Sequence, residues 1–300
     1  MNEIRRSDLK TILHSKRANL YYLEHCRVLV NGGRVEYVTD AGTASLYWNI
    51  PIANTTSILL GTGTSISQAA VRELAKAGVL IGFCGGGGTP LFSGMEGPQD
   101  IVWFQPQSEY RPGEYLQHWV RFWFDDGLRL RAAQQFQRAR LARIRTHWSR
   151  GRISKTQEVL VDATRLEHLL GDAEAELDLA ADHTQLLTQE GRLTKQLYRL
   201  VAQATGYGNF TRAGRGESVD AANQFLDHGN YLAYGMGATA TWVLGLPHSL
   251  AVLHGKTRRG GLVFDVADLI KDAVILPQAF ISAMRGDTEQ AFRQACIEAL

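Results

Sequence analysis

Apolar residues recur along this chain of 300 residues with two different periods. Between residues 20 and 105 they form short alternating or continuous runs bounded by glycine and proline, which is typical of β-strands. Beyond Pro112 they recur every three or four residues over long stretches, which is typical of amphipathic helices. The sequence therefore predicts an α+β protein, with a β-rich N-terminal domain over residues 1–105 and an all-helical C-terminal domain over residues 106–300.

Turn residues delimit the strands of the N-terminal domain. Asn31, Gly32 and Gly33 predict a hairpin, because asparagine and glycine tolerate positive φ. A second glycine-rich turn leads into a helix for which Ser65 is the predicted N-cap. The strands are predicted over residues 20–30, 34–38, 45–50, 57–60 and 79–84.

Stripes of apolar residues predict the helices of the C-terminal domain. They cover residues 115–148, 184–204 and 222–244. A further helix is expected to start at Asp265, which would serve as its N-cap, because Val266, Leu269 and Ile270 begin an apolar face. The residues from Arg293 onwards have a helical pattern that stops without a capping signal, so we expect the domain to be truncated at its C-terminus.

Composition narrows the class of protein. Hydrophobic residues make up 45% of the chain, as in globular proteins. No apolar run reaches the roughly 18 residues of a membrane span, and the N-terminus lacks the apolar core of a signal peptide. The three cysteines have neither metal-type spacing nor the pattern of a disulfide framework. We therefore expect a cytoplasmic protein with no membrane contact.

Charge is distributed unevenly, although the net charge is only +2. Between Arg111 and Lys155 the chain carries ten arginines and one lysine against three acids, and the following stretch to Glu190 carries nine acids against one arginine. One interpretation is a basic face that binds nucleic acid, with Arg138 and Arg143 as candidate contacts. The other is a solvated arginine-rich helix, and the charge pattern alone does not separate the two.

One segment near the C-terminus combines the residue types of a metal site. His254 is followed by two carboxylates, Asp265 and Asp268, which a helical spacing would place on one side. Imidazole and carboxylate ligands suit a hard or borderline divalent metal. The loop between them holds three cations: Lys256, Arg258 and Arg259. Since these cations would attract a polyanion, the segment predicts metal-assisted chemistry on a phosphodiester.

Each of these residues also has a structural interpretation. Asp265 would cap the helix, and Asp268 would complement its dipole. Their co-occurrence favours function, because two carboxylates at one helix start repel each other unless a cation or protons intervene. One histidine and two acids on a short segment still make a poor cage, so a third acid is needed. Glu190 is the best candidate, since Gly191 beside it leaves room for a close approach.

Four segments of the chain together resemble a known family. They are Leu186 to Gly191 with Lys195 and Tyr198 downstream, Asn223 to Tyr234, Leu246 to Gly255, and Leu262 to Leu269. Their order and spacing are similar to those of the CRISPR adaptation integrases, the large subunits that insert new spacers, and are closest to the subtype I-F branch. The resemblance covers essentially the whole chain, including the β-rich domain followed by helices.

The resemblance implies that the helical domain is catalytic and binds Mg²⁺ or Mn²⁺. Glu190, His254 and Asp268 would hold the ion, and Asp265 would lie beside it as a further catalytic residue. The implied reaction joins the 3′-hydroxyl ends of a short DNA duplex, the protospacer, to a repeat sequence. The cations around the site and on the arginine-rich helix would bind DNA phosphates.

The same resemblance implies an assembly. The β-rich domain would form a homodimer, and a small ferredoxin-like subunit, in this subtype fused to a helicase–nuclease, would bridge two dimers. Two alternatives for the function remain open. One is a hydrolytic metal-dependent nuclease without integration. The other is a non-catalytic DNA-binding scaffold in which the acids are helix caps.

Overall fold

The structure, a computed structural model, describes residues 17, 19–41, 44–83, 102–104, 113–154, 159–213, 220–255 and 260–299. It divides into two compact units, Met1–Gly113 with Val243–Gly245, and Glu114–Trp242 with Leu246–Leu300. All described strands belong to the first unit, and the elements of the second are helices. The predicted α+β class, β-rich first and helical afterwards, is confirmed. The residues around the predicted domain boundary at 105 lie outside the described part.

Two four-stranded sheets and one α-helix make up the described part of the first unit. The strands are β1 (Asn19–Leu23), β2 (Arg27–Asn31), β3 (Arg34–Ala41), β4 (Ala44–Asn49), β5 (Thr55–Leu60), β6 (Ser65–Ile66), β7 (Leu80–Phe83) and β8 (Val102–Phe104), and the helix is α1 (Gln68–Lys76). The sheets have the strand orders β1-β5-β7-β8 and β4-β3-β2-β6. Strands β1, β5 and β7 pair in parallel, and β5, which lies between the other two, is almost entirely buried.

Backbone turns decide which sheet each N-terminal strand joins. Gly32 and Gly33 have φ values of +55° and +78°, and the predicted hairpin, β2 paired with β3, is confirmed. The prediction of a single strand over residues 20–30 is wrong. A turn at His25, whose φ is +49°, separates β1 from β2 and sends them into different sheets.

Eight α-helices follow in the described part of the chain. They are α2 (Gly113–Trp123), α3 (Asp126–His147), α4 (Ala163–Leu179), α5 (His183–Thr205), α6 (Ala221–Val243), α7 (Gly261–Ile270), α8 (Leu276–Arg285) and α9 (Glu289–Ala299). A π-helical turn, Lys271–Ile275, joins α7 directly to α8. Turns of this kind are rare and are often found at functional sites. No described helix is long and apolar enough to cross a bilayer.

Capping residues fix several helix boundaries that the apolar stripes leave uncertain. Ser67 caps α1, whereas the predicted cap, Ser65, belongs to β6. The single helix predicted over residues 115–148 is two helices, because the Asp125 side chain accepts a hydrogen bond from the Leu128 N–H at 2.8 Å and starts α3. Helices α5 and α6 match their predictions to within one residue at each end, and α4 lies where no helix is predicted.

Tryptophan side chains attach the first helices to the segment that precedes the candidate site. The indole N–H groups of Trp119 and Trp123 donate hydrogen bonds to the carbonyl oxygens of Leu250 at 2.9 Å and Ala251 at 2.7 Å. Trp148, which is 1% exposed, donates in the same way to the π-helical turn. The helical core and the candidate site are therefore connected through buried hydrogen bonds as well as apolar packing.

Candidate active site

Glycines allow the segment before α7 to fold back on the start of that helix. Gly255 and Gly260 have φ values of +70° and +67°, a region that favours glycine. A Cβ atom at Gly261 would lie 2.7 Å from both the Ala251 Cβ and the His254 carbonyl oxygen. Only glycine at position 261 therefore lets the backbone around His254 contact α7 this closely.

Asp265 holds the histidine in place. It lies inside α7 and is 3% exposed, and Gly260 occupies the N-cap position, so the predicted capping role of Asp265 is wrong. Its carboxylate instead accepts hydrogen bonds from the N–H groups of Val252 at 2.7 Å, Leu253 at 3.2 Å and His254 at 3.0 Å. The same carboxylate contacts His254 Nδ1 at 2.8 Å. A neutral His254 consequently carries its proton on Nδ1 and presents the lone pair of Nε2.

Asp268 lies opposite that second imidazole nitrogen. It is 4% exposed, and its Oδ2 is 3.6 Å from His254 Nε2. Its Oδ1 contacts the Lys271 ammonium group, which also lies over the ring of Tyr234 at 5.5 Å from the centroid. The contact with Lys271 therefore places a cation beside the buried carboxylate.

Neighbouring charges shift the pKa values of three side chains in this group. Burial lowers the pKa of His254, but the hydrogen bond to Asp265 and the charge of Asp268 outweigh burial, so the pKa is raised. Burial raises the pKa of Asp268, but Lys271, His254 and Arg140 outweigh it, so the pKa is lowered. Burial also lowers the pKa of Lys271, and Asp268 reverses that shift. Asp268 is thus a buried anion that the surrounding cations stabilise.

A buried arginine connects Glu190 to this group. Arg140, on α3, is 2% exposed. Its guanidinium pairs with Glu190 Oε1 at 3.0 Å and donates hydrogen bonds to Asp272 at 2.6 Å and to Thr194 at 2.6 Å. Burial lowers the pKa of Arg140, but the carboxylates of Asp272, Glu190 and Asp268 raise it above its ordinary value.

The structure brings some of the predicted site residues together and leaves others apart. His254, Asp265 and Asp268 are in contact, whereas Glu190 is connected to them through Arg140. No three histidine, cysteine or acidic side chains of the described residues are close enough to form a metal site by themselves. The donor chemistry still fits a divalent ion, because an imidazole nitrogen, His254 Nε2, and a carboxylate oxygen, Asp268 Oδ2, lie 3.6 Å apart and are largely buried. Three predicted cations lie outside the described residues: Lys256, Arg258 and Arg259.

The arginine-rich helix α3 and the acidic helix α4 pair with each other. Arg138 contacts Asp178, and Arg145 contacts Glu174 at 2.8 Å. Arg138 and Arg145 are therefore paired with acids of α4, because the two helices lie side by side and partly neutralise each other's charge. Arg143 is exposed on the same helix and stays a candidate for contact with DNA.

Sequence reasoning misses three residues of this site: Arg140, Lys271 and Asp272. A signal exists for each of them. Lys271 and Asp272 are three and four residues beyond Asp268, which places them on the same helical face. Arg140 occurs between buried positions of α3, where its side chain needs an anionic partner.

Comparison with known proteins identifies the family. The model of the family described as "CRISPR associated protein Cas1" matches residues 23–292. The chain belongs to the Cas1 family. It is 69% identical over its whole length to the CRISPR-associated endonuclease Cas1 of Pseudomonas aeruginosa, of which it covers 93%. It is 64% identical to the protein of the same name from Pectobacterium atrosepticum, over 98% of this chain and 90% of that one. These relatives confirm the family and the branch that the motifs predict.

Solved structures of Cas1-like proteins share the fold. The chain aligns with a casposase bound to integration product at a TM-score of 0.64 and 13% identity, covering 94% of this chain and 81% of that one. It aligns with TtCas1 in a complex with DNA at a TM-score of 0.61 and 24% identity, covering 94% and 84% of the two chains. At these identities the likeness establishes the fold.

Proposed function

We propose that this Cas1 protein is a metal-dependent DNA endonuclease and integrase that inserts short duplex DNA into a CRISPR array by strand transfer. The observation that supports this most directly is the 3.6 Å approach of His254 Nε2 to Oδ2 of the buried Asp268. Asp265 and Lys271 hold the opposite atoms of these two side chains, so Nε2 and Oδ2 remain directed at each other. The P. aeruginosa relative is named an endonuclease, and one structural relative is a casposase bound to integration product.

In this proposal Glu190, His254 and Asp268 hold Mg²⁺ or Mn²⁺. Such an ion, when bound, neutralises charge that develops on the non-bridging oxygens of the attacked phosphate. The histidine shifts the preference somewhat toward Mn²⁺ compared with an all-oxygen site. Asp265 keeps the proton of His254 on Nδ1, and Lys271 balances the second oxygen of Asp268.

Cations around the site would bind the DNA backbone. The proposed contacts are Lys256, Arg258, Arg259, Arg138 and Arg143. Because phosphate contacts carry little sequence information, affinity should depend weakly on sequence and strongly on salt. Arg143 is exposed for this role, whereas Arg138 would exchange its contact with Asp178 for a phosphate.

We also propose a homodimer through the β-rich unit. Every residue of β4 is exposed, and β4 lies at the end of its sheet. Its large side chains Leu46, Tyr47 and Trp48 are 44%, 57% and 50% exposed. An exposed apolar strand at a sheet edge favours pairing with another chain. A small ferredoxin-like subunit, fused to a helicase–nuclease, would bridge two such dimers.

Two other functions make different predictions. A hydrolytic nuclease would use the same residues and fits the name of the P. aeruginosa relative, but it would cut DNA without joining strands. A non-catalytic scaffold requires both aspartates to act as helix caps, and Asp265 accepts hydrogen bonds from a loop instead. The scaffold is therefore the less supported alternative.

Replacing Asp268 with alanine separates binding from catalysis. Asp268→Ala should abolish Mn²⁺-dependent cleavage and strand transfer into a supercoiled plasmid, because the proposed ion loses a ligand. Affinity for duplex DNA should stay equal or rise slightly, because one negative charge is removed. Both activities and the salt dependence of binding are measured on the same preparation. Asp268→Asn, which preserves the shape of the side chain, checks that the loss does not come from unfolding.

Asp172→Ala is the matched control, because it removes the same charge from an exposed position on α4. Cleavage by Asp268→Ala at the parent rate would show that this carboxylate has only a structural role. Wild-type protein that cleaves without joining strands would support the hydrolytic alternative. Binding without either activity would support the scaffold.

A further inference from the structure

Glu190 is held through only one of its two carboxylate oxygens. Oε1 lies 3.0 Å from Arg140 Nη1 and accepts a hydrogen bond from the Thr194 hydroxyl at 3.3 Å. Within the described part of the chain, Oε2 makes neither a hydrogen bond nor an ion pair, and the side chain is 20% exposed. Glu190 therefore has one oxygen attached to the protein and one available to a ligand.

The guanidinium that holds Glu190 is itself immobilised. Its Nε donates to Asp272 at 2.6 Å, its Nη1 to Gln137 at 3.0 Å and its Nη2 to Thr194 at 2.6 Å. Arg140 is 2% exposed and Asp272 is 5% exposed. All three guanidinium nitrogens are thus engaged in buried contacts, and rotation of the side chain would break several of them at once. The planar group has a fixed geometry that a lysine ammonium cannot reproduce.

We propose that Arg140, together with Thr194, is the positioning residue that orients Glu190 toward the metal. This inference rests on the proposed function, in which Glu190 is a ligand. Outer hydrogen-bond partners of this kind orient metal ligands and tune their affinity. Arg140 has the same role for Glu190 as Asp265 has for His254.

Asp272 connects Arg140, and through it Glu190, to the rest of the site. Asp268 contacts His254 and Lys271, while Asp272, one helical turn further along, contacts Arg140. A single continuous element, α7 with its π-helical turn, therefore sets the position of both the histidine side and the glutamate side.

The first test measures Mn²⁺ binding to the full chain, with the metal alone, and the Mn²⁺ dependence of DNA cleavage. Arg140→Lys keeps the charge but loses the planar fork, so the Mn²⁺ dissociation constant should rise by about 10- to 100-fold. Saturating Mn²⁺ should restore cleavage toward the parent rate, because all three ligands remain. Arg145→Lys is the matched control on the same helix, where the arginine pairs with Glu174 near the surface. It should titrate like the wild type.

Thr194→Val tests the same geometry with a milder change. Valine keeps the shape of threonine and removes the hydroxyl that joins Arg140 to Glu190, so Mn²⁺ should bind about fivefold more weakly. Thr188→Val is its control, because among the described residues that hydroxyl bonds only the carbonyl oxygen of Thr184 in its own helix. If Arg140→Lys fails to fold, Thr194→Val alone decides the inference.

The outcomes distinguish this inference from the proposed function. If Glu190→Ala binds Mn²⁺ as tightly as the wild type, Glu190 is not a ligand. That result would overturn both the positioning role and the proposed function. Weak binding by Glu190→Ala with unchanged binding by Arg140→Lys and Thr194→Val would overturn the positioning role and leave the proposed function intact. If Arg140→Lys and Thr194→Val bind Mn²⁺ more weakly, and their DNA cleavage recovers at high Mn²⁺, the positioning role is supported.

Discussion

Asp265 illustrates how a single buried carboxylate organises the segment that carries the histidine. Its two oxygens accept hydrogen bonds from three consecutive backbone N–H groups, those of Val252, Leu253 and His254, and contact the His254 ring. A buried carboxylate is costly unless its oxygens are satisfied, and these donors replace the water that it loses. The same hydrogen bonds fix the loop and the imidazole tautomer.

Asp265→Asn should therefore affect stability and metal binding together. An asparagine NH₂ group would face backbone N–H donors, so the free energy of unfolding should fall by about 1–3 kcal/mol. The proposed Mn²⁺ site should weaken by about 10- to 100-fold, because the ring of His254 loses its orienting partner. Chemical denaturation and a Mn²⁺ titration measure the two effects.

A second aspartate provides the control for that substitution. Asp162 accepts a hydrogen bond from the Arg165 N–H at 3.0 Å as the N-cap of α4, and asparagine is an equally good N-cap. Asp162→Asn should leave both quantities unchanged. An Asp265→Asn protein that is as stable as its parent would contradict the role assigned to this carboxylate.

At the scale of elements, α7 and the π-helical turn form a buried polar face within an apolar helix. Asp265, Asp268 and Asp272 are 3%, 4% and 5% exposed and meet the loop, the histidine and Arg140 in turn. The face is positioned by the close contact between the loop and the helix start at Gly261, where a side chain has no room. The site therefore depends on helix–loop packing as well as on its charged residues.

Gly261→Ala tests that packing. The added methyl group would lie 2.7 Å from the Ala251 Cβ and from the His254 carbonyl oxygen, so the loop has to move away from α7. We expect a loss of about 1–3 kcal/mol in the free energy of unfolding. The melting temperature should fall by several degrees, and Mn²⁺ should bind more weakly because His254 is displaced. Thermal unfolding and a Mn²⁺ titration check both effects.

Gly171→Ala is the control for an alanine in place of a helical glycine. It lies in the exposed interior of α4, and a Cβ there meets no atom within 4 Å. Alanine should stabilise that helix by about 0.5–1 kcal/mol. The two substitutions should thus change stability in opposite directions, and equal effects would show that the contact at Gly261 is not tight.

At the scale of the whole molecule, charge and exposed apolar surface are distributed in ways that single elements do not reveal. The arginines of α3 are partly neutralised by the acids of α4, for example Arg138 by Asp178. The most exposed apolar strand, β4, lies in the first unit, whereas the candidate active site lies in the second. The proposed dimer contact and the candidate active site thus lie in different units and can be tested separately.

Trp48→Glu tests the proposed homodimer. Wild-type protein should sediment as a dimer at micromolar concentration, and Trp48→Glu as a monomer, because a charge replaces an apolar side chain on β4. Leu179→Glu is the control, since Leu179 is 78% exposed on α4 in the other unit and should leave the dimer intact. A wild-type monomer in sedimentation velocity would disprove the dimer.

Sequence alone determined the fold class, the hairpin at Gly32 and Gly33, and helices α5 and α6, because each follows from local periodicity or turn chemistry. It also placed His254 and Asp268 in one segment, since ligand chemistry can be recognised from residue types. It did not find Arg140, which is 132 residues before its partner Asp272. It also predicted that Asp265 caps α7, whereas the carboxylate accepts hydrogen bonds from the loop that carries His254.

Those two outcomes have one physical reason. A charged side chain in a sequence is satisfied by water until the fold excludes the water, and only then does it need a specific partner. Which partner it finds depends on the elements that packing brings together, here α3, α5 and α7 with the π-helical turn. The tertiary structure alone therefore decided that Arg140 connects Glu190 to the site and that Asp265 holds the loop of His254.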